Sequence, residues 1–130
     1  MVETGTNWGC TAIVLAQALV DSGCDGRVAT FELNPENADI AGKNVKAAGL
    51  DEHVKLQVGD RRQLIEAALQ NEIDLHFAFI GASHFYDEVT VEFELISPKP
   101  APDALVLFDN SYRTEEDGKD PRVKALSGRS

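Results

Sequence analysis

Three acidic residues and one glycine-spaced loop carry most of the chemistry legible in this chain. Near the start stands Glu3-x-Gly5-x-x-x-Gly9, within VETGTNWGCTA. A glycine just past a strand permits a tight turn, and a second at a helix start lets a ligand reach backbone N–H groups. Asn7 stands where a dinucleotide fingerprint needs its second glycine, and no Lys follows Gly9 as a phosphate loop requires. The loop therefore suits a ligand without a pyrophosphate, although taken alone it reads as a simple strand–helix turn. Glu32 lies roughly 20 residues beyond it, where an acidic side chain can accept both ribose hydroxyls of an adenosine. By itself Glu32 is as readily a solvated surface residue. Asp60, after Gly59, can accept from an adenine amino group or cap the helix beginning at Arg61. His84 and, behind it, Asp109 are candidate bases, since a histidine accepts a proton near neutrality. The bland reading of His84 is a surface or capping residue. Trp8 can pack over a ligand or toward the core. Tyr86 and Tyr112 read as packing or rim residues, and His53 and His76 have no partner pattern.

The elements that must position these groups alternate regularly. Cys10 to Val20 has the periodicity of a helix closed by Gly23, and Arg27 to Leu33 that of a strand. Asn34-Pro35-Glu36 opens a second helix, with Asn as N-cap and Pro in the first turn, running to Gly49. Val54 to Val58 reads as a strand, Arg61 to Asn71 as a helix, and Ile73 to Ile80 and Ala104 to Phe108 as further strands. Tyr86 to Ile96 fits both periods. A helix is favoured there because parallel neighbouring strands need a crossover. Pro98, Pro100 and Pro102 then enforce an extended link into the last strand. The alternation implies a parallel α/β sheet with its functional groups at the carboxyl ends of the strands. Residues 1–110 form one domain on this reading, and 111–130 a polar tail or strand stub.

Composition narrows the function classes. The chain has 130 residues, 43% of them hydrophobic, and a net charge of −10. That charge repels nucleic acid, so a partner held through phosphates is not expected. No apolar run reaches the roughly 18 residues a membrane span needs, and no basic-then-apolar signal segment opens the chain. Cys10 and Cys24 form no metal-spaced pattern and suit free thiols in a reducing cytoplasm.

Taken together, Glu3 and Gly5, Glu32 and Asp60 at three successive strand ends resemble the class I S-adenosylmethionine (SAM)-dependent methyltransferases, in particular the small O-methyltransferase branch. VETGTNWGCTA resembles the family's first motif, Glu32 in ATFELNPENADIAGKNVKAAGL its ribose-binding acid, and VKLQVGDRRQLI its adenine-side motif. FIGASHFY (79–86) and LVLFDN (105–110) are similar to its later strand ends. The resemblance covers roughly residues 2 to 112. It implies a Rossmann-like sheet of about five strands in order 3-2-1-4-5 with helices on both faces. It also implies that Glu3 and the Gly5, Thr6, Asn7, Trp8, Gly9 loop hold the methionine portion of SAM, Glu32 the ribose and Asp60 the adenine.

The pattern also departs from the family. Metal-dependent members carry an Asp at the end of strand four, where Gly81 stands here, although Asp109-Asn110 is retained. Losing one carboxylate of so few argues against a divalent metal. Most of the usual C-terminal antiparallel pair is lacking, with only Asp120 to Leu126 resembling part of it. Helices upstream of the first strand are lacking too. The leading expectation is a methyltransferase acting on a small-molecule oxygen or nitrogen. The alternative is a minimal SAM- or nucleoside-binding module without catalysis, and a nicotinamide-dependent oxidoreductase is disfavoured by Asn7. A second copy is expected to cover an exposed sheet edge or apolar face.

Overall fold

Helix termini fall where the sequence supplies them. In this computed structural model, which describes residues 1–71 and 74–109, the Asn34 side chain accepts from the Glu36 N–H at 2.9 Å and opens helix α2 (Pro35–Ala47). Helix α1 (Cys10–Asp21) and α2 both end on left-handed glycines, Gly23 (φ 65) and Gly49 (φ 71), which let the chain turn back. Leu50 N–H then reaches the Val45 carbonyl and Cys24 N–H the Leu19 carbonyl, closing both ends. Helix α3 (Arg61–Asn71) has the expected bounds, and α4 (Tyr86–Ile96) resolves the two-period segment as a helix.

The strands are β1 (Val2–Thr4), β2 (Val28–Glu32), β3 (Val54–Val58), β4 (Leu75–Ile80) and β5 (Pro100–Phe108), in the order β3-β2-β1-β4-β5. All pairings are parallel, and the three residues of β1 are held on both sides, Glu3 opposite Thr30 and Phe79. Successive side chains along each strand point to opposite faces of the sheet. Val2, Ala29, Phe31, Ala78 and Ile80 pack against Ile65 and Leu69 of α3 and Val89 and Ile96 of α4. Val28 packs on the other face, with Ala16 and Leu19 of α1 and Val45 of α2. A five-stranded Rossmann-like sheet between two helical layers is thus the fold.

One expectation needs correction. Pro100 and Pro102 belong to β5 itself rather than to a link ahead of it. An edge strand tolerates proline because one side of its ladder is unpaired, and the pairing with β4 is irregular between Leu75 and Phe77. Leu105 and Leu107 on this edge are 68% and 53% exposed. Ile73, Asn110, Tyr112 and the 111–130 tail, with Asp120 to Leu126, lie outside the described residues. No helix among the described residues is long and apolar enough to cross a membrane.

A charged contact links the two helices of one layer. Arg61, the first residue of α3, pairs with the fully buried Glu92 of α4 and with Glu88 at 2.8 Å. Glu92 follows Val89 by three positions and precedes Ile96 by four, so a carboxylate stands in the apolar stripe. Removing its cation strands a buried charge. Arg61→Ala should cost about 3 kcal/mol in urea unfolding, and adding Glu92→Gln should recover part of that loss.

Candidate functional site

The strand order reverses at β1, so the helices that follow β1 and β4 pack on opposite faces of the sheet, and a crevice lies at the carboxyl ends beside the turns that lead to them. The turn after β1 is tightly constrained. Gly5 takes φ +84, and a Cβ there would stand 2.6 Å from the Ala82 Cα and 2.8 Å from its nitrogen. The Thr4 hydroxyl accepts from the Gly81 N–H at 3.1 Å and the Thr4 carbonyl from the same group at 3.2 Å. Gly5 and Thr6 N–H both donate to the Phe31 carbonyl. Three strand ends, those of β1, β2 and β4, are thereby tied into one rim.

Along this rim runs a cleft of about 500 Å3 lined by Gly5, Asn7, Glu32, Asn37, Gly81 and His84, with Arg61 at its side. A second hollow of about 460 Å3 shares Gly5, Asn7, Gly81 and His84 with it, and adds Thr6, Trp8, Thr11 and Asp109. A third, of about 320 Å3, continues past Leu33 and Arg61 to Asp60, Arg62 and Glu88. The sequence-predicted residues Gly5, Thr6, Asn7, Trp8, Glu32, Asp60, His84 and Asp109 therefore lie on one continuous trough.

Their individual settings differ. Glu32 accepts from the Asn7 N–H at 2.7 Å through Oε2 and from the Asn34 N–H at 2.9 Å through Oε1. Asn7 is the one non-glycine residue at positive φ (48) among those described. Asp60 takes the capping role, accepting from the Arg62 N–H at 2.9 Å at the start of α3, and its residue also lines the third hollow. The Arg62 side chain bonded to it holds its carboxyl below the usual range. Trp8 is 56% exposed on the cleft wall, so it does not turn to the core. Its carbonyl accepts from Asn44 of α2.

Two residues of this motif, Gly9 and Glu3, line none of these three hollows. Gly9 (φ 88) lies against α2, where a Cβ would meet the Ala41 Cβ at 3.3 Å, so it serves the close approach of α1 to α2. Glu3, expected against the ligand, is 1% exposed within β1. Its Oε2 accepts from the Thr30 hydroxyl at 2.7 Å, and the Thr30 and Thr6 hydroxyls are 2.6 Å apart. Glu3 Oε1 has no partner among the described residues. Burial pushes its carboxyl up to about 7, against the opposing Thr30 hydrogen bond.

Gly81 offers no side-chain ligand, and a Cβ there would stand 2.7 Å from the Phe79 ring. Among the described residues no three His, Cys, Asp or Glu side chains converge. Several contributors were not legible in the sequence: Thr4, Thr30, Arg61 and Glu92. Only Glu92 left a signal, as a charge within an apolar stripe.

Glycine turn, acidic strand ends and parallel order define a Rossmann-like fold of the class I methyltransferase kind. The chain belongs to the SAM-dependent O-methyltransferase family: residues 2–111 match the family model described as a methyltransferase domain. It is 32% identical over 113 residues to a catechol O-methyltransferase of Mycobacterium tuberculosis, which covers 87% of this chain and 48% of that protein. To the O-methyltransferase imqG of Aspergillus flavus it is 28% identical over 115 residues, 86% of this chain and 45% of that one. Among solved structures, the O-methyltransferase from Bacillus cereus in complex with SAH superposes with a TM-score of 0.77 at 27% identity, covering 96% of this chain and 57% of that one. TomG from Streptomyces achromogenes in complex with SAM gives 0.75 at 25% identity, covering 99% and 61%. The chain thus spans just under half the length of those two curated relatives.

Two outcomes check this geometry. Gly5→Ala should destabilise by about 2–4 kcal/mol in urea unfolding, because positive φ and contact with Ala82 act together. Glu3 titrates near 7 when folded and near 4.5 as an ordinary carboxyl. The native state therefore holds this proton more tightly, so the stabilisation is full below 4.5 and is lost as pH rises through 7. That loss amounts to about 3 kcal/mol. Unfolding free energies measured from pH 4.5 to 8 should fall by about this much more in wild type than in Glu3→Gln.

Proposed function

We propose that the chain binds SAM along this trough and forms the cofactor-holding part of an enzyme that methylates a small-molecule oxygen or nitrogen. The observation that carries this reading is Glu32. Its two oxygens are anchored by Asn7 and Asn34 N–H groups on the cleft wall. Each oxygen has capacity for a further bond, as a pair of ribose hydroxyls would demand. The hollow at Leu33, Asp60 and Arg61 then takes the adenine. Thr6 and the first turn of α1, whose N–H groups have no intrahelical acceptors, take the amino-acid end. Two superposing structures, one in complex with SAH and one with SAM, support the same ligand.

Bound SAM would supply a methyl carbon attached to a sulfonium. The residues of this chain orient the acceptor and receive its proton. His84 borders both main hollows, and Asp109 shares one of them. His84 Nδ1 or Nε2 accepts the proton of an acceptor hydroxyl, with Asp109 as the alternative base. No step is routed through a metal. The second reading is a binding module without turnover.

SAH should raise the melting temperature, by about 2.7 kcal/mol of stabilisation at 100 times its Kd. Glu32→Ala should remove most of that shift, and an unchanged shift would sink the assignment of Glu32. His84→Asn should retain the SAH shift while abolishing methyl transfer to a hydroxylic acceptor panel. Binding without transfer by the wild-type chain would select the second reading.

A further inference from the structure

We propose that Glu3 is a positioning residue at the buried end of a three-member relay, Glu3–Thr30–Thr6, whose protonation sets whether Thr6 offers the cleft a hydrogen-bond donor or only an acceptor. The relay would thereby tune the hold of the loop on the carboxylate of an amino-acid-bearing ligand. This rests on the assignment of the amino-acid end of SAM to Thr6 and the α1 N-terminus.

The geometry is a continuous chain from interior to cleft. Thr30 is fully buried in β2, Glu3 nearly so in β1, and Thr6, itself only 3% exposed, borders the second hollow from the turn after β1. Links of 2.7 and 2.6 Å join the three side chains. A hydroxyl has one hydrogen to give, which makes the chain directional. With Glu3 ionised, Thr30 donates to Oε2 and Thr6 must donate to Thr30. The Thr6 hydrogen is then committed inward, and only lone pairs face the cleft.

With Glu3 protonated the direction reverses. The proton belongs on Oε2, because Oε1 has no acceptor within reach among the described residues. Oε2–H donates to Thr30, Thr30 donates to Thr6, and the Thr6 hydrogen is released toward the cleft. Nothing covalent changes except one proton taken from solvent. The neutral state favours an anionic ligand group twice over, through a new donor and through the loss of a buried negative charge behind it.

Little else competes for control of Glu3. Its register neighbours are the uncharged Thr30 on β2 and Phe79 on β4, and α1 turns Ala12 and Ala16 inward. The groups bordering the hollows beside Thr6 that can change charge in this range or carry a carboxylate are Glu32, Cys10, His84 and Asp109, and the Arg61 cation borders the first hollow. Glu32 is occupied by two backbone donors. Comparison with Glu3→Gln, which retains all of these groups, isolates the contribution of Glu3.

Two measurements test the relay, one without ligand. In protein carrying 13C-labelled glutamate carboxyls, the Glu3 signal is identified by its loss in Glu3→Gln and titrated. Thr30→Val should raise its midpoint, Thr6→Val should raise it by less, and Thr6→Ser should restore it. A Glu3 midpoint unmoved by Thr6→Val overturns the relay whether or not SAH binds. In calorimetry, SAH should bind about tenfold more weakly at pH 8.5 than at pH 6, equivalent to a one-unit shift of Glu3 on binding. Adenosine, which lacks the carboxylate, should bind equally at both. Glu3→Gln should bind SAH with most of that pH dependence gone. An equal pH dependence in wild type and Glu3→Gln overturns the proposed coupling. Absence of SAH binding at any pH counts instead against the cofactor assignment and against the ligand-tuning part of the proposal. The carboxyl titration still decides the relay itself.

Discussion

The site depends on one close approach, the contact of the turn after β1 with the turn after β4. Gly5 and Ala82 meet at a separation that leaves no room for a side-chain carbon, and Thr4 fastens the two turns from below. Because β1 is only three residues long, these contacts do much of what a longer strand would do by ladder bonding alone. The Phe31 carbonyl adds β2 to the same knot by accepting from Gly5 and Thr6. Once the three strand ends are fixed, Asn7 is obliged to turn left-handed, and its N–H falls on Glu32. The position of the acidic group on the cleft wall is thus a consequence of backbone packing two strands away.

The chemistry of the cleft is graded in burial. Glu3 lies beneath the loop in a dry setting, where an ionised carboxyl is costly, whereas Glu32 accepts from two N–H groups at the rim. Asp60 is still further out and is held by Arg62. Three carboxyls in or just after successive strands therefore take three different settings, although the sequence presents them as similar. Arg61 links this end of the trough to the helical layer through Glu88 and Glu92, so the wall near Asp60 and the packing of α4 share one charged junction.

Much of this was legible in the residues. The order of elements, the Asn34-Pro35 helix start and the glycine ends of α1 and α2 follow from local chemistry that tertiary packing reinforces. The strand ends carrying Glu32 and Asp60 were legible for the same reason, since an apolar run stops where a polar residue begins. What could not be read was orientation. Glu3 sits in a motif that suggests ligand contact, yet strand alternation turns it toward the layer that includes Val28, and only the pairing with Thr30 reveals that face. Gly9 shows the same limit: its spacing suggested ligand access, and its neighbour proved to be Ala41. The prolines of β5 misled because an edge strand relaxes a rule that holds in a sheet interior.

The central claim is that one trough along the carboxyl ends of the sheet holds a single adenosine-bearing ligand from Asp60 to Thr6. Backbone amide NMR of the 15N-labelled chain titrated with SAH tests it most directly. The account predicts saturable shifts at Thr6 to Thr11, at Glu32 to Asn34, at Asp60 and Arg61, and at Gly81 to His84, all with one dissociation constant. Shifts confined to the amino ends of the strands, or independent constants for the Glu32 and Thr6 regions, would contradict it.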